Sequence, residues 1–291
     1  MHPLLAALTP SQRLAVETID GPLLILAGPG SGKTRVITHR IAWLLEQGVP
    51  GRQILALTFT NKAADEMRAR VARLVPDHQV WLGTFHRFCA RLLRQHASLV
   101  GLKENFTIYD TDASLAALRA AIDEATESLG SLSPEALAEQ ISRRKNNLIG
   151  PEDDRELAGG VDPLFNRIYR QYARLLLRCN AVDFDDLLWY TATLLRDHPE
   201  VRSRLDERYA YVMVDEYQDT NFAQYAIARA LSLDQPNLAV TGDPDQSIYG
   251  WRGANLRNIL DFERDFPGVR VIRLEQNYRS TQRILRVASE L

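Results

Sequence analysis

The sequence has little of several features that mark particular protein classes. Its 291 residues include only two cysteines, Cys89 and Cys179, which form neither a disulfide framework nor a metal-ligand spacing, so we expect buried free thiols. No apolar run approaches the ~20 residues needed to cross a bilayer. The first residues lack the basic and apolar regions of a signal peptide. We therefore expect a soluble, cytoplasmic protein with no membrane partner.

Strong charge of either sign is also missing, since the formal net charge is −2. The distribution along the chain is uneven. Residues 1–100 carry 12 basic and 6 acidic side chains, residues 101–200 carry 11 and 18, and residues 201–291 carry 12 and 13. An acidic middle after a basic start suggests an inserted module, so the net charge does not exclude a nucleic-acid binder.

Short apolar runs, each followed by a polar cluster, set the expected fold. Continuous rather than alternating apolar residues indicate strands buried on both faces, as in a parallel sheet of the α/β class. Ligands of such sheets bind beyond the carboxyl ends of the strands, where the polar clusters fall. The runs are Leu23–Leu26, Ile54–Leu57, Val80–Leu82, Tyr211–Val214 and Leu238–Val240.

The acidic middle has a different pattern. Apolar residues recur at helical spacing in 110–127 and in 161–178, and Ser133-Pro134 is typical of a helix start. We predict an all-helical insert, residues 111–184, within the α/β domain.

A glycine-rich segment follows the first apolar run and resembles the phosphate-binding loop G-x-x-x-x-G-K-[ST]. Its glycines would let backbone N–H groups surround phosphate oxygens, Lys33 would reach the β- and γ-phosphates, and Thr34 would bind Mg²⁺. The alternative is a glycine-rich turn with a chance Gly-Lys-Thr, which the flanking strand and helix disfavour. The segment comprises Ala27, Gly28, Pro29, Gly30, Ser31, Gly32, Lys33 and Thr34.

Asp215 and Glu216 follow the fourth apolar run. An aspartate there can hold Mg²⁺ through water, and the next carboxylate can orient or deprotonate the attacking water. Alone, such a pair is usually a solvated turn. Together with Lys33, it predicts the second half of a nucleoside triphosphate hydrolysis site.

Each of three further side chains allows two interpretations of its role. Gln12 in Thr-x-x-Gln is typical of a helix capping box, although its amide could equally read an adenine edge; the spacing favours the cap. Phe59 and Trp251 could stack on bases of single-stranded nucleic acid, but aromatic side chains more often pack in a core.

Six motifs occur in the order found in the superfamily 1 DNA helicases of the UvrD/PcrA/Rep group, which the sequence resembles. The resemblance implies a RecA-like P-loop NTPase domain interrupted by a helical accessory domain. It also implies an ATP- and Mg²⁺-dependent 3′-to-5′ helicase acting on single-stranded and 3′-tailed duplex DNA. The motifs are residues 30–34, 58–64, 83–86, 214–220, 242–254 and 274–280.

The same resemblance assigns individual roles. It implies that Gln12 reads adenine, with capping as a compatible second role, that Arg35 lies near the nucleotide, and that Gln246 senses the γ-phosphate. Tyr278 would stack near the base, and Arg279 would contact the γ-phosphate. The residues implied to line the DNA track are Phe59, Asn61, His86, Tyr249, Trp251 and Arg252.

The resemblance also sets the expected domains: a first motor domain in 1–110 and 185–275, the insert 111–184, and the start of a second motor domain in 276–291. We expect most of that second domain to lie outside this sequence. We expect the chain to be the N-terminal half of a nucleoid-associated helicase that binds ATP but does not unwind DNA alone. The absent domain and repair or replication proteins would be its partners.

Two other classes of function fit parts of the sequence. One is a non-catalytic module that binds nucleic acid or a partner and keeps a vestigial P-loop; the intact Lys33, Thr34, Asp215, Glu216 and Gln246 argue against decay. The other is a P-loop enzyme acting on a small molecule or a protein, which accounts for neither the aromatic residues nor the motif order.

Overall fold

The chain divides into two units in the computed structural model, which describes residues 2–125, 133–153, 163–247, 250, 253–281, 283–284 and 286. The second unit contains the predicted insert and extends beyond it. The first unit comprises Met1–Phe85, Glu200–Thr220 and Ala228–Leu291, and the second comprises His86–Pro199 and Asn221–Ile227.

A six-stranded sheet forms the centre of the first unit. All its strand pairs are parallel and the order is β3-β2-β6-β7-β1-β8, which confirms the predicted α/β class with a parallel sheet. The strands are β1 Leu23–Ala27, β2 Ile54–Thr58, β3 Trp81–Thr84, β6 Tyr211–Val214, β7 Leu238–Gly242 and β8 Arg270–Leu274.

The burial of each strand explains whether its sequence is a continuous apolar run. Every residue of β2 and β7 is buried, as expected for strands covered on both faces. Strand β8 lies at the edge beside β1 and alternates, with Arg270 and Arg273 exposed and Ile272 and Leu274 buried. Because β8 is not a continuous apolar run, the sequence pattern does not predict it.

Helices connect the strands, and none in the described part of the chain is long and apolar enough to span a membrane. Short 3₁₀ turns occupy 51–53, 97–100, 217–219 and 244–246. The helices are α1 Pro3–Ala6, α2 Pro10–Glu17, α3 Lys33–Glu46, α4 Asn61–Leu74, α5 Phe85–Gln95, α6 Thr111–Glu124, α7 Pro134–Asn146, α8 Pro163–Arg178, α9 Phe184–Asp197, α10 Pro199–Arg208, α11 Phe222–Ala230, α12 Arg257–Leu260 and α13 Phe262–Asp265.

The second unit is mainly helical, with α6, α7 and α8 packed around one apolar cluster. Ser133 caps α7 by accepting a hydrogen bond from the Ala136 N–H, as the sequence predicts. Two short strands, β4 Thr107–Ile108 and β5 Ala181–Val182, pair in parallel. The prediction of an all-helical insert is wrong at β5, because a two-residue strand is too short to give a periodic signal.

The two thiols differ in burial. Cys89 is fully buried in α5, as expected, but Cys179 is exposed. The prediction of two buried thiols is therefore wrong for Cys179, which follows the last residue of α8, where the chain leaves the helix and its packed face.

Arg40 is a buried cation with a structural role in the first unit. Its guanidinium, on α3, donates hydrogen bonds to the carbonyls of Ala15, Thr18 and Ile19 at the C-terminal end of α2. Carbonyls at the C-terminal end of a helix lack partners within it, and a positive charge there is favourable to the helix dipole. Burial lowers the pKa of Arg40 to about 10, which still leaves it charged at neutral pH.

Replacing Arg40 with methionine is expected to lower the free energy of unfolding by at least about 2 kcal/mol, because buried carbonyls lose their donors. Urea unfolding of the 291-residue chain measures this change. Arg52→Met, at an exposed position, is the matched control and should stay within about 0.5 kcal/mol of the parent. Equal stability of the two variants would contradict a capping role for Arg40.

Candidate functional site

The glycine-rich loop connects the end of β1 to the start of α3. Gly30 and Gly32 have φ values of 70° and 95°, a backbone region that L side chains rarely adopt. Both the N–H and the hydroxyl of Ser31 donate to the Gly28 carbonyl, at 3.3 and 2.6 Å. The loop is therefore a tight turn at the positive end of a helix, which is the arrangement that binds phosphate.

Lys33, the first residue of α3, lies at the centre of the site. Only 8% of its surface is exposed, and its Nζ atom is 3.4 Å from Oε2 of Glu216. Within the described part of the chain this Nζ has no hydrogen-bond partner. A buried ammonium with unused donors fits an anionic ligand such as a phosphate group.

Asp215 follows β6 and is held by two hydrogen bonds to its Oδ1, from the Thr241 hydroxyl at 2.5 Å and from the Glu216 N–H at 3.1 Å. Burial and the adjacent charge of Glu216 raise the pKa of Asp215 to about 6, although the Thr241 bond and Lys33 oppose the shift. A buried carboxylate with a raised pKa is one that gains from a bound cation.

Glu216 has an uncommon backbone conformation. Its φ of 53° and ψ of 48° lie in the left-handed region, which costs a non-glycine residue about 1–3 kcal/mol. The conformation brings its carboxylate to Lys33, and the Gln218 amide donates to the same Oε2 at 2.8 Å. Such strain at a strand end is typical of functional sites.

The predicted capping box at Gln12 is confirmed. Thr9 accepts from the Gln12 N–H, and Oε1 of Gln12 accepts from the Thr9 N–H. The Gln12 amide nitrogen also donates to the Ser31 carbonyl at 2.9 Å, so this buried side chain links α2 to the glycine-rich loop. A role in reading adenine stays a prediction.

Residues 276–280 lie against the same loop. The Asn277 amide donates to the Pro29 carbonyl at 2.5 Å, and the Tyr278 N–H donates to the Gly30 carbonyl at 2.9 Å. A Cβ atom on Gly30 would be 2.5 Å from Cβ of Arg279, so only glycine allows this approach. Tyr278 and Arg279 are exposed beside the loop, and their contacts with the nucleotide stay predictions.

Gln246 and Arg35 each make one described side-chain hydrogen bond. Gln246, in the 3₁₀ turn after β7, donates to the buried carboxylate of Asp243. Arg35 is exposed and donates to the Ala7 carbonyl at 2.9 Å. Sequence reasoning missed the supporting residues Thr241, Gln218, Asp243 and Asn277, because their contacts join segments far apart in the chain.

The predicted DNA residues are described only in part. Phe59 is half-buried, and Asn61 is exposed at the start of α4. His86 is half-buried in the second unit, its ring is 6.1 Å from that of Phe184, and burial lowers its pKa, so it is neutral at pH 7. Tyr249, Trp251 and Arg252 lie outside the described residues.

A dedicated metal cage does not occur among the described residues, where no group of three or more His, Cys, Asp and Glu side chains comes together. Mg²⁺ usually keeps several waters and binds through one or two carboxylates plus substrate phosphates. Thr34, in the first turn of α3, and the buried Asp215 carry oxygen atoms of the kind that such an ion uses, and their role as Mg²⁺ ligands stays a prediction.

Comparison with known families decides where this site belongs. The UvrD/REP helicase N-terminal domain matches residues 8–267, a range that includes the glycine-rich loop, Asp215, Glu216 and Gln246. The chain belongs to the UvrD/REP helicase family. The resemblance seen in the six sequence motifs is thereby confirmed.

Relatives of this UvrD/REP helicase chain include several proteins named ATP-dependent DNA helicase PcrA. The one from Bacillus subtilis (strain 168) is 47% identical over 292 residues, which is 99% of this chain and 40% of the relative. Those from Leuconostoc citreum and Staphylococcus epidermidis (strain RP62A) are 46% and 45% identical and cover 96% and 100% of this chain. The chain spans about two fifths of the length of these relatives.

Proposed function

We propose that this chain is the ATP-binding half of an ATP-dependent 3′-to-5′ DNA helicase. The observation that carries the proposal is the buried, unsatisfied ammonium of Lys33 facing the Asp215–Glu216 pair at the carboxyl ends of a parallel sheet. The names of the relatives, ATP-dependent DNA helicases, support the same activity.

Binding of the nucleotide is assigned to the loop and to its neighbours. Backbone N–H groups of residue 28 and of residues 30–34, together with the Lys33 ammonium, bind the phosphates; Pro29 has no N–H to donate. Tyr278 stacks near the base and Gln12 reads it. Thr34 and Asp215 hold Mg²⁺, which when bound neutralises phosphate charge. The exposure of Tyr278 leaves its ring available for stacking.

Hydrolysis requires a residue that orients water and accepts its proton. Glu216 is suited to this role because its carboxylate faces Lys33 and is held by the Gln218 amide. Gln246 and Arg279 complete the surroundings of the γ-phosphate. Transition-state charge is stabilised by Lys33, which burial makes more effective than it would be in water.

Single-stranded DNA is the proposed partner of a separate set of residues. Aromatic side chains give sequence-independent stacking, worth about 1–3 kcal/mol per base. Because His86 is neutral at pH 7, it would contact DNA by packing or hydrogen bonding rather than by charge. The proposed set is Phe59, Asn61, His86, Tyr249, Trp251 and Arg252.

Stepping along DNA needs two motor domains that close on the nucleotide. We propose that 1–110 and 185–275 form the first motor domain, that 111–184 is its helical insert, and that 276–291 starts the second. ATP turnover and strand separation, measured on the 291-residue chain and on a full-length protein that carries it, test the proposal.

The full-length protein should hydrolyse ATP faster with single-stranded DNA and should unwind 3′-tailed duplex. The 291-residue chain should bind ATP with little hydrolysis and no unwinding. Unwinding by the short chain would contradict the need for a second motor domain. DNA binding without DNA-stimulated hydrolysis in the full-length protein would favour the non-catalytic binding module.

Acid pH is expected to weaken Mg²⁺-dependent nucleotide binding. Mg²⁺ requires ionised Asp215, so protons compete with the metal below the pKa of about 6, and affinity should fall about tenfold per pH unit there. The groups facing Asp215 are Glu216, Lys33 and Thr241, and the pKa of nearby Asp219 is also raised to about 6, by burial and by Glu216.

Dissociation constants for a non-hydrolysable ATP analogue at pH 7, 6 and 5, with Mg²⁺ and with EDTA, measure this effect. Protonation of Asp215 does not itself favour unfolding, because a raised carboxyl pKa makes the folded state bind the proton more tightly, so this group adds stability as the pH falls from about 6 to about 4. The same pH dependence with EDTA as with Mg²⁺ would contradict the prediction.

A further inference from the structure

Gln218 is a buried amide that touches both sides of the hydrolysis site. Its side chain, 1% exposed, donates from Nε2 to Oε2 of Glu216 at 2.8 Å and accepts at Oε1 from the Asp243 N–H at 3.1 Å. Its own carbonyl accepts from the Ser247 hydroxyl at 3.2 Å. One residue therefore joins the carboxylate after β6 to the segment after β7.

The approach of Gln218 to the end of β7 depends on Gly242. A Cβ atom on Gly242 would lie 2.8 Å from Oε1 of Gln218 and 2.5 Å from Cδ1 of Ile259. The backbone φ of Gly242 is not positive, so its conformation does not require glycine. The space that it leaves is what the Gln218 amide occupies.

The segment that Gln218 holds also carries Gln246. Asp243 is buried, and its carboxylate accepts from the Asp245 N–H at 3.1 Å and from the Gln246 amide. The polar contacts thus run from Glu216 through Gln218 and the Asp243 backbone to Gln246. A shift of residues 243–247 would be transmitted to the Glu216 carboxylate through a single side chain.

We propose that Gln218 is a positioning residue that couples the Glu216 carboxylate to segment 243–247, so that DNA-dependent movement of this segment aligns the carboxylate for hydrolysis. This inference rests on the proposed function, since it assumes that Glu216 activates water. Gln218 does not contact the nucleotide in this role; it sets the orientation of Glu216. Loss of the amide should slow turnover and leave nucleotide binding intact.

Gln218→Met tests the role in the full-length protein, because methionine fills similar volume without either hydrogen bond. We expect kcat with single-stranded DNA to fall at least tenfold, while the dissociation constant for a non-hydrolysable ATP analogue changes less than twofold. Gly242→Ala, which displaces the amide, should lower the same kcat. Gln224→Met is the matched control: Gln224 is equally buried, but its Oε1 accepts from the Asn221 N–H, in the second unit.

The inference is overturned if Gln218→Met keeps DNA-stimulated kcat within twofold of the parent. It is also overturned if Gln224→Met lowers that kcat as much, since a general loss of buried polar contacts would then explain both variants. Two other results would contradict the proposed function rather than the role of Gln218. One is a parent protein without DNA-stimulated hydrolysis, and the other is a Glu216→Gln variant that retains this hydrolysis. Reduced kcat in Gln218→Met and Gly242→Ala, but not in Gln224→Met, supports the inference.

Discussion

Lys33→Ala in the full-length protein is expected to lower kcat/KM for DNA-stimulated ATP hydrolysis by about 10²–10³-fold. The ammonium is buried, lies at the N-terminal end of α3 and has unused donors, so its charge acts on a bound phosphate with little screening by water. The variant should bind ATP more weakly and should stabilise the transition state less, so KM should rise and kcat should fall.

Steady-state ATPase assays with saturating single-stranded DNA measure the effect of Lys33→Ala. The matched control is Lys103→Ala, which removes an exposed lysine of the second unit and should retain the parent rate. Thermal unfolding of both variants checks that the fold is intact. A kcat/KM within fivefold of the parent would show that the loop does not bind the reacting phosphates.

Glu216→Gln is expected to separate binding from hydrolysis. Loss of the carboxylate that we propose accepts the proton of water should lower kcat by about 10²–10⁴-fold. The same change removes the negative charge 3.4 Å from the Lys33 ammonium, so one anion fewer competes with phosphate for Lys33. The ATP dissociation constant should therefore fall by about two- to tenfold.

Single-turnover hydrolysis and titration with a fluorescent ATP analogue measure these two effects of Glu216→Gln. Glu263→Gln in α13 is the control, because Glu263 is an exposed carboxylate of the same unit. Weaker nucleotide binding in Glu216→Gln would contradict the competition for Lys33. Unchanged hydrolysis would assign water activation to another group.

Strand burial explains how much of the fold the sequence could predict. The buried strands β2 and β7 are continuous apolar runs, so their positions followed directly from the pattern. The edge strand β8 alternates arginine with apolar residues and resembles many exposed segments. The strand pair β4 and β5 depends on contacts between residues more than 70 positions apart, which a local pattern does not record.

Within the site, local motifs were predictable and the contacts between them were not. Lys33 and Glu216 belong to short motifs with known chemistry, and Gln12 has a capping pattern confined to four residues. Gln218 and Asn277 lie inside two of the six motifs, but the motifs do not show which distant segment each side chain contacts, because only the folded sheet brings those segments together. An amide in a polar turn looks the same in sequence whether it binds water or a strand end.

The position of β1 in the sheet has a consequence for synthesis. This first strand, Leu-Leu-Ile-Leu-Ala, pairs only with β7 and β8 in the described sheet, which begin about 215 and about 247 residues later. At about 5–20 residues per second, this apolar strand is made about 10–50 s before its neighbours. Its apolar faces therefore need cover, by chaperones or by early helix packing, until the C-terminal strands are made.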